Sequence, residues 1–287
     1  MAKANTQQIV SIKDERLDID HIDHYRLSFF IGLDSIDLAV KDLKTNRLLL
    51  FEHLVFNKSK DIIANLDQVH KEHNLIAAGF WKEIQVFVRN DKFALIPNPL
   101  FDKSKLYEYI RLNDKADLQQ DAFHFKQLDD FGLSFAFGFM SEIREWFKSK
   151  YPKVNQRISH QGVAFLNAVQ KTNGRKTQAT MFLDIKDQKA MVAGFNFEKL
   201  AIYNQFSFKD AEHLVKLTAL TCQQFSTDRD KTPLIVSGTK AQIEAAAPTL
   251  KKYFKLFEAA KRPVELQVHP VFNELEAYEY TEILANL

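Results

Sequence analysis

The chain is predicted to be an α/β protein built of two similar lobes. An internal repeat, strand-period alternation inside each copy and a helix-period stripe after each copy lead to this reading. Phe29 to Phe56 reads FFIGLDSIDLAVKDLKTNRLLLFEHLVF, and Met181 to Phe208 reads MFLDIKDQKAMVAGFNFEKLAIYNQFSF. At a single offset of 152, Arg47 meets Lys199, Leu48 meets Leu200, Leu50 meets Ile202 and Phe51 meets Tyr203. The same offset brings Leu54 onto Phe206, Phe56 onto Phe208 and Ile62-Ile63 onto Leu214-Val215. A unit recurring at fixed spacing signals a duplicated supersecondary structure. The expected lobes are residues 1–170, with an insertion near 100–150, and residues 171–287.

The elements follow in order. Residues 1–24 form a polar arm able to add a strand. Three strands between Arg26 and Phe56 alternate apolar and polar positions, as half-buried antiparallel strands do. Asn57 or Ser59 caps the next helix, whose stripe is Ile62, Leu66, Val69 and His73. Strands follow at Ile84–Val88 and Phe93–Ile96, stopped by Pro97 and Pro99. Asp102 or Ser104 starts a helix that ends at Arg111. Phe123 to Phe139 reads as a hairpin turning at Asp129-Asp130 beside Gly132. One helix covers Ser141–Lys150, before Pro152, and another His160–Gln170. The polar run Thr172-Asn173-Gly174-Arg175-Lys176 marks the lobe boundary. The second unit starts at Ala179. Ser207 and Asp210 fit a capping-box spacing before a helix from Lys209 to Phe225 with Ala211, Leu214, Val215, Thr218 and Cys222 on one face. Leu234–Val236 forms a strand, Ser237-Gly238-Thr239 a turn, and a short helix reaches Leu250. A further strand and a helix from about Phe272 complete the second lobe.

Composition limits the function classes. Of 287 residues, 25 are phenylalanine and only 8 glycine, where ordinary usage of about 7% would give roughly 20 glycines. The net charge of +2 neither argues for nor excludes a nucleic-acid or membrane partner. The single cysteine, Cys222, forms no internal disulfide and indicates a reducing compartment. The first residues lack the apolar core of a signal peptide, and the apolar runs are far shorter than the roughly 20 residues of a membrane helix. A cytoplasmic protein without a membrane segment is expected.

Three short segments, Ile31-Gly32-Leu33-Asp34-Ser35, Phe182-Leu183-Asp184-Ile185 and Val236-Ser237-Gly238-Thr239, sit in two β-β-β-α-β units. In this respect the chain resembles the actin-like ATPase superfamily, which includes actin, heat-shock chaperones, sugar kinases and bacterial FtsA- or PilM-like proteins. Over nearly its full length it is similar to an uncharacterised bacterial family, a domain of unknown function with an actin-like fold. The resemblance implies tandem ribonuclease-H-like lobes in an actin-like arrangement, each a mixed sheet flanked by helices. In that superfamily an Asp-containing turn after the first strand of each lobe faces the nucleotide phosphates and metal, and a glycine-rich turn contacts adenosine. Carried over, the nucleotide-binding residues would be Asp34, Ser35, Asp37, Asp184, Asp187, Ser237, Gly238 and Thr239.

The departures from that pattern point elsewhere. A phosphate-cradling turn uses glycines so that backbone N–H groups approach the anion closely. Asp34-Ser35-Ile36-Asp37 and Asp184-Ile185-Lys186-Asp187-Gln188 contain none, and the third turn has only Gly238. The glycines, at 32, 79, 132, 138, 162, 174, 194 and 238, form no G-x-G-x-x-G or Walker A loop. A non-catalytic actin-like scaffold or protein-interaction module with degenerate nucleotide loops is therefore expected, with a protein partner and no cofactor. The alternatives are an ATPase or phosphotransferase using ATP and Mg²⁺, and a metal-dependent nuclease, since this lobe fold also hosts two-metal carboxylate sites.

Other motifs have simpler readings beside the functional one. Asp34, Asp37, Asp184 and Asp187 suit a Mg²⁺ site, and equally suit turns, where Asp bonds its own backbone. His21 and His24, and His70 and His73, have the i, i+3 spacing of one helix face, but zinc requires further ligands. Asp130-Phe131-Gly132 copies a kinase triplet without the other kinase motifs and reads as a hairpin turn. Lys251, Lys252, Lys255, Lys261 and Arg262 interleave with Tyr253, Phe254 and Phe257, a mix that stacks single-stranded nucleic acid and that also makes an exposed strand with one buried aromatic face. Cys222 reads as packing. Phe131, Phe135, Phe137 and Phe139 share one strand face that either the lobe or a partner must cover.

Overall fold

The computed structural model describes residues 6–113, 116–173, 178–224, 228–262 and 266–287. The chain divides into two compact units, Met1–Val163 with Glu265–Phe272 and Leu287, and Ala164–Val264 with Asn273–Asn286. Part of the expected boundary, residues 174–177, lies outside the described residues.

The first unit contains β1 (Gln7–Lys13), β2 (Tyr25–Ile31), β3 (Ser35–Asp42), β4 (Arg47–Val55), α1 (Ile62–Glu72) and α2 (Asn74–Ala77). These are followed by β5 (Glu83–Val88), β6 (Phe93–Pro97), α3 (Leu106–Arg111), β7 (Asp121–Leu128), β8 (Leu133–Met140), α4 (Ser141–Lys150) and β9 (Asn155–His160). Its main sheet runs β1-β4-β3-β2-β5-β9. β2 and its neighbours bury both faces, so their runs are continuously apolar. Phe29 meets Phe147 of α4 edge-on at 4.9 Å, while Phe30 stacks on Phe87 of β5 at 4.4 Å. Each such ring, fully buried, contributes about 2–3 kcal/mol through area removed from water. The polar arm does add a strand, β1, antiparallel to β4. Asp61 caps α1, accepting from the Ala64 N–H at 2.7 Å. Asn57, one of the two expected caps, instead bonds to Asn65, and the other, Ser59, bonds to Asn57.

The insertion folds as a three-stranded sheet, β6-β8-β7. Of the four phenylalanines expected on one strand face, Phe131 lies instead in the turn before β8 and is half-buried. Phe135, Phe137 and Phe139 are buried, with Phe135 stacked on Phe93 at 5.3 Å and close to the His160 ring. The opposite face, with Ala136, packs on Ile110 of α3. The strand face proposed for a partner is therefore core, covered on both sides by the unit itself. Asp129–Phe131 is a 3-10 turn that closes through Gly132, so the kinase-like triplet is a hairpin turn.

α5 (Gln161–Asn173) begins in the first unit and continues into the second, which goes on through β10 (Thr180–Lys186), β11 (Lys189–Asn196), β12 (Lys199–Ser207), α6 (Ala211–Gln224), β13 (Leu234–Gly238), α7 (Lys240–Tyr253), β14 (Phe257–Ala259) and α8 (Thr281–Leu284). Its sheet runs β12-β11-β10-β13-β14. α6 buries Leu214, Val215, Thr218 and Cys222. Its cap is Asp210, which accepts from the His213 N–H at 2.8 Å, while Ser207 ends β12. Phe225, the expected last residue of this helix, lies outside the described residues. Lys251, Lys252 and Tyr253 end α7, and only Phe257–Ala259 of the basic segment is a strand. A long C-terminal helix does not form. Pro270–Glu274 is a 3-10 turn, and Tyr280 is left-handed, at φ 55°. In between, the Tyr278 carbonyl accepts from Gly238 and so is not available to a helix.

The duplication is borne out in topology. β4-β3-β2-β5-β9 and β12-β11-β10-β13-β14 have the same order. In each, the first three strands are antiparallel neighbours and the last two join in parallel. Both copies carry a bulge in the third strand, where Val40–Lys41 steps from Leu50 to Leu48 and Gly194–Phe195 steps from Ile202 to Leu200. The strand missing from the sequence reading is β9, whose polar run NQRISH lies at a sheet edge, where strands need little apolar surface.

Candidate functional site

The ladders fix which residues of the two copies correspond. His53 pairs with Asp37, and its counterpart Gln205 pairs with Met191. One strand further in, Asp37 pairs with Phe30 and Met191 with Asp184. Ile31 and Ile185 therefore correspond, and so do the four-residue connections Gly32-Leu33-Asp34-Ser35 and Lys186-Asp187-Gln188-Lys189. The backbone agrees: Phe56 N–H donates to Asp34 O at 2.8 Å, and Phe208 N–H donates to Gln188 O at 2.9 Å. None of the four candidate aspartates has a carboxylate opposite it in the other copy. Asp34 corresponds to Gln188, Asp187 to Leu33, Asp37 to Met191 and Asp184 to Phe30.

The individual placements explain why. Asp34 and Asp187 are exposed turn residues. Asp187 and Gln188 are both left-handed, with φ 52° and 57°, as a tight two-residue hairpin turn requires. Ser35 is buried at the start of β3. Asp37 is on β3, not in a turn, and is fully buried. It accepts an ion pair from Arg89, which directly follows β5, and lies 2.6 Å from His53 Nδ1. Arg89 also lies over the Phe30 ring, 5.4 Å from its centroid, and donates to the Phe30 carbonyl. Asp184 is likewise inside a strand, β10, and nearly fully buried, accepting from Ser237 Oγ at 2.6 Å. The Asp184–Ser237 pair occupies the position of the stacked Phe30–Phe87 pair in the first copy.

The third turn joins β13 to α7. Gly238 N–H donates to Tyr278 O at 3.1 Å, and Thr239 N–H to Ile185 O at 3.1 Å. Thr239 makes no side-chain cap. Instead, Glu279 Oε1 accepts from the Lys240 N–H at 3.0 Å, and Lys240 Nζ donates to Glu276 at 3.1 Å. A helix N-terminus favours a negative group, and here the chain's own carboxylate provides it. The Glu276 partner raises the Lys240 pKa above its ordinary value. Burial, with Glu276 nearby, raises that of Tyr278. Sequence reasoning missed Arg89, His53, Glu276 and Glu279. A charge directly after the apolar run of β5 was the available signal for Arg89; the two glutamates gave none.

The remaining candidates stay apart. His21 and His24 are on an exposed 3-10 turn. His73 bonds Glu52 at 2.7 Å, and His70 packs edge-on against Trp146 and Tyr151. Among the described residues no three His, Cys, Asp or Glu side chains gather to hold a metal ion. Nor is any helix of these residues long and apolar enough to cross a membrane. Lys255 pairs with Asp230 at 2.9 Å, and Lys251 lies over Phe257.

Residues 14–257 match the family described as "Protein of unknown function (DUF3822)", and the chain belongs to it. No curated protein matches. Among solved structures, the chain is similar to a Bacteroides thetaiotaomicron protein described as having an actin-like ATPase fold and unknown function. That likeness is 16% identical, with TM-score 0.75, over 85% of this chain and 93% of that one. It is also similar to a PilM–PilN type IV pilus biogenesis complex, at 11% identity and TM-score 0.60, over 91% of this chain and 96% of that one. The fold is that of the actin-like ATPases.

Proposed function

We propose that this actin-like protein is a non-catalytic scaffold or protein-interaction module whose nucleotide loops are degenerate. One observation carries the reading: the duplicated strands have kept their register, bulge included, while no candidate carboxylate is matched in the other copy. Of the four aspartates, Asp37 is engaged internally by Arg89 and Asp184 by Ser237, and breaking a buried ion pair such as the first costs about 3–5 kcal/mol; Asp34 and Asp187 stay exposed in their turns. The Gly238 amide and the first amide of α7 are occupied by Tyr278 and Glu279. The PilM–PilN structure supports a protein partner as an instance of this fold in a protein complex. Isothermal titration with Mg-ATP tests the proposal. The expected result is no micromolar binding; micromolar binding abolished by Asp34→Ala would end it.

A further inference from the structure

α1 and α6 hold the same place in the two copies, and each borders a groove with a second helix of its own unit. In the first unit the groove lies between α1 and α4, where Ile63, Ala64, Asp67, Glu145 and Trp146 line it. In the second it lies between α6 and α7, has a volume of about 750 Å³, and is lined by Val215, Lys216, Ala219 and Leu220 on one side and Lys252 and Tyr253 on the other. At the offset of 152, Ile63, Ala64 and Asp67 fall on Val215, Lys216 and Ala219. The first groove satisfies its own polar groups. Asp67 accepts from Trp146 Nε1 at 2.9 Å and from Lys150 Nζ at 2.8 Å. Beside it Gln68 accepts from Lys60 at 2.7 Å, and Glu145 pairs with Arg144 and Lys148.

The second groove does not. Ala219 stands in place of Asp67, Leu220 in place of Gln68 and Lys216 in place of Ala64. Leu220 and Tyr253 are each 45% exposed. Lys216 and Lys252 are exposed, and neither forms an ion pair among the described residues. Arg229 adds a third cation, 5.8 Å from the centroid of the Tyr253 ring. Lys216, Leu220 and Gln223 recur at i, i+4 and i+7, so they share one face of α6. Single exposed leucines are ordinary. Here an exposed leucine and an exposed tyrosine meet in one groove, flanked by cations, at a place that the other copy closes with its own side chains.

We propose that the groove between α6 and α7 receives an acidic amphipathic helix of a protein partner. The apolar stripe of that helix lies on Ala219, Leu220 and Tyr253, and its carboxylates meet Lys216, Lys252 and Arg229. From Asp210 to Gln223 the groove follows α6 for about 20 Å at 1.5 Å per residue, the length of about three to four helical turns. A helix in such a groove is held by apolar anchors one turn apart, and opposite charge speeds and orients its docking. Asp210 and Glu212 line the same groove and repel a phosphate backbone, which disfavours nucleic acid. The chain's own acidic segment is already engaged: Glu279 and Glu276 bond Lys240, and Thr281–Leu284 is buried. The inference rests on the interaction-module reading and gives its surface and the chemistry of the partner.

Three fluorescent probes are titrated into the full chain and followed by anisotropy. One is a designed helical peptide of about 14 residues with leucines at i, i+4 and i+7 and glutamates beside them; the second is its twin with lysines for the glutamates; the third is an oligo-dT strand. The expected result is saturable binding of the glutamate peptide alone. Leu220→Asp should weaken it about tenfold or more, and so should Lys216→Glu with Lys252→Glu, the second loss shrinking in about 0.5 M salt. The doubly reversed variant should bind the lysine twin instead. All three positions are exposed, and circular dichroism checks that the variants keep the wild-type fold. No binding of the glutamate peptide to the wild type, equal binding of the two peptides, or equal binding by the wild type and Leu220→Asp would each overturn the proposal. Oligo-dT displacing the peptide, or a dimer that Leu220→Asp dissolves, would also overturn it by making nucleic acid or a second copy the occupant. None of these readouts involves ATP, so failure here is distinguishable from failure of the non-catalytic reading.

Discussion

Gly238→Ala should be among the most damaging single-methyl changes in the second unit. Gly238 has φ +135°, and a Cβ placed on it would lie 2.0 Å from the Ile185 carbonyl oxygen and 2.8 Å from Ile185 C and N. Real Cβ contacts essentially never fall below 3.0 Å, so something must move by about an ångström. The obstacle is backbone. Ile185 is held on one side by Ala190 of β11 and on the other by Gly238 itself, and its carbonyl accepts from Thr239. Three costs combine: backbone strain of about 1–3 kcal/mol, overpacking of about 1–3 kcal/mol, and a weakened buried hydrogen bond of about 1 kcal/mol or more. We expect a loss of about 3–6 kcal/mol by urea denaturation followed by circular dichroism. Gly132→Ala is the control: its φ is also positive, +65°, but nothing lies within 4 Å, leaving only a left-handed penalty of about 1–2 kcal/mol. If Gly238→Ala costs no more than Gly132→Ala, the steric reasoning is wrong.

Asp37→Asn removes the charge from a buried ion pair with Arg89, whose side chain is 8% exposed, and should cost about 3–5 kcal/mol, read as a lower denaturation midpoint with unchanged slope. His124 and His70 have pKa values below the ordinary 6.5, first because they are buried and second because Arg144 and Lys150, respectively, are near. The folded state thus keeps them neutral where the unfolded chain takes up protons, and stability should fall as pH drops through 6.5 and level off below the folded values. Comparing denaturation at about pH 7.5 and pH 5.5 for wild type and His124→Gln checks this; an equal loss in both would remove His124 as a cause. Asp61→Ala should cost about 1 kcal/mol as a lost helix cap, and Ser59→Ala should be nearly neutral, the reverse of the order expected from sequence.

The sequence made the duplication legible because strand and helix periods survive substitution. Leu48, Leu50 and Phe51 are buried in β4, and their counterparts in β12 remain apolar or aromatic. Ile62 and Leu214 both lie on helices at the same offset. Caps were less legible. Asn57, Ser59 and Asp61 are all good N-caps, and only the chain's path selects Asp61. β9 and the Glu279 contact were illegible for a common reason. Each is a long-range polar pairing, between Glu83–Val88 and Asn155–His160 and between Lys240 and Glu279, and neither leaves a local period.

One short loop sets how the candidate residues of the two copies correspond. Four residues join β3 to β4, Leu43 to Asn46, but only Phe197 and Glu198 join β11 to β12. The two copies therefore correspond at an offset of 152 from β4 onward and of 154 before it, as the pairs Asp37–His53 and Met191–Gln205 require. Side chains alternate with a period of two, so a shift of two residues leaves every inward position inward and cannot be seen in the hydrophobic pattern. It does change which chemistry faces which. At one offset Asp34 and Asp184 look like near counterparts; at the offset the ladders impose, Asp184 falls on Phe30, under Arg89. Burial selects for the period alone, whereas a phosphate–metal site selects for the identity of each position. The divergence of Asp184 from Phe30 and of Asp37 from Met191, beneath an intact ladder and a shared bulge, is the pattern expected where burial constrains the period and leaves the identity of each position free.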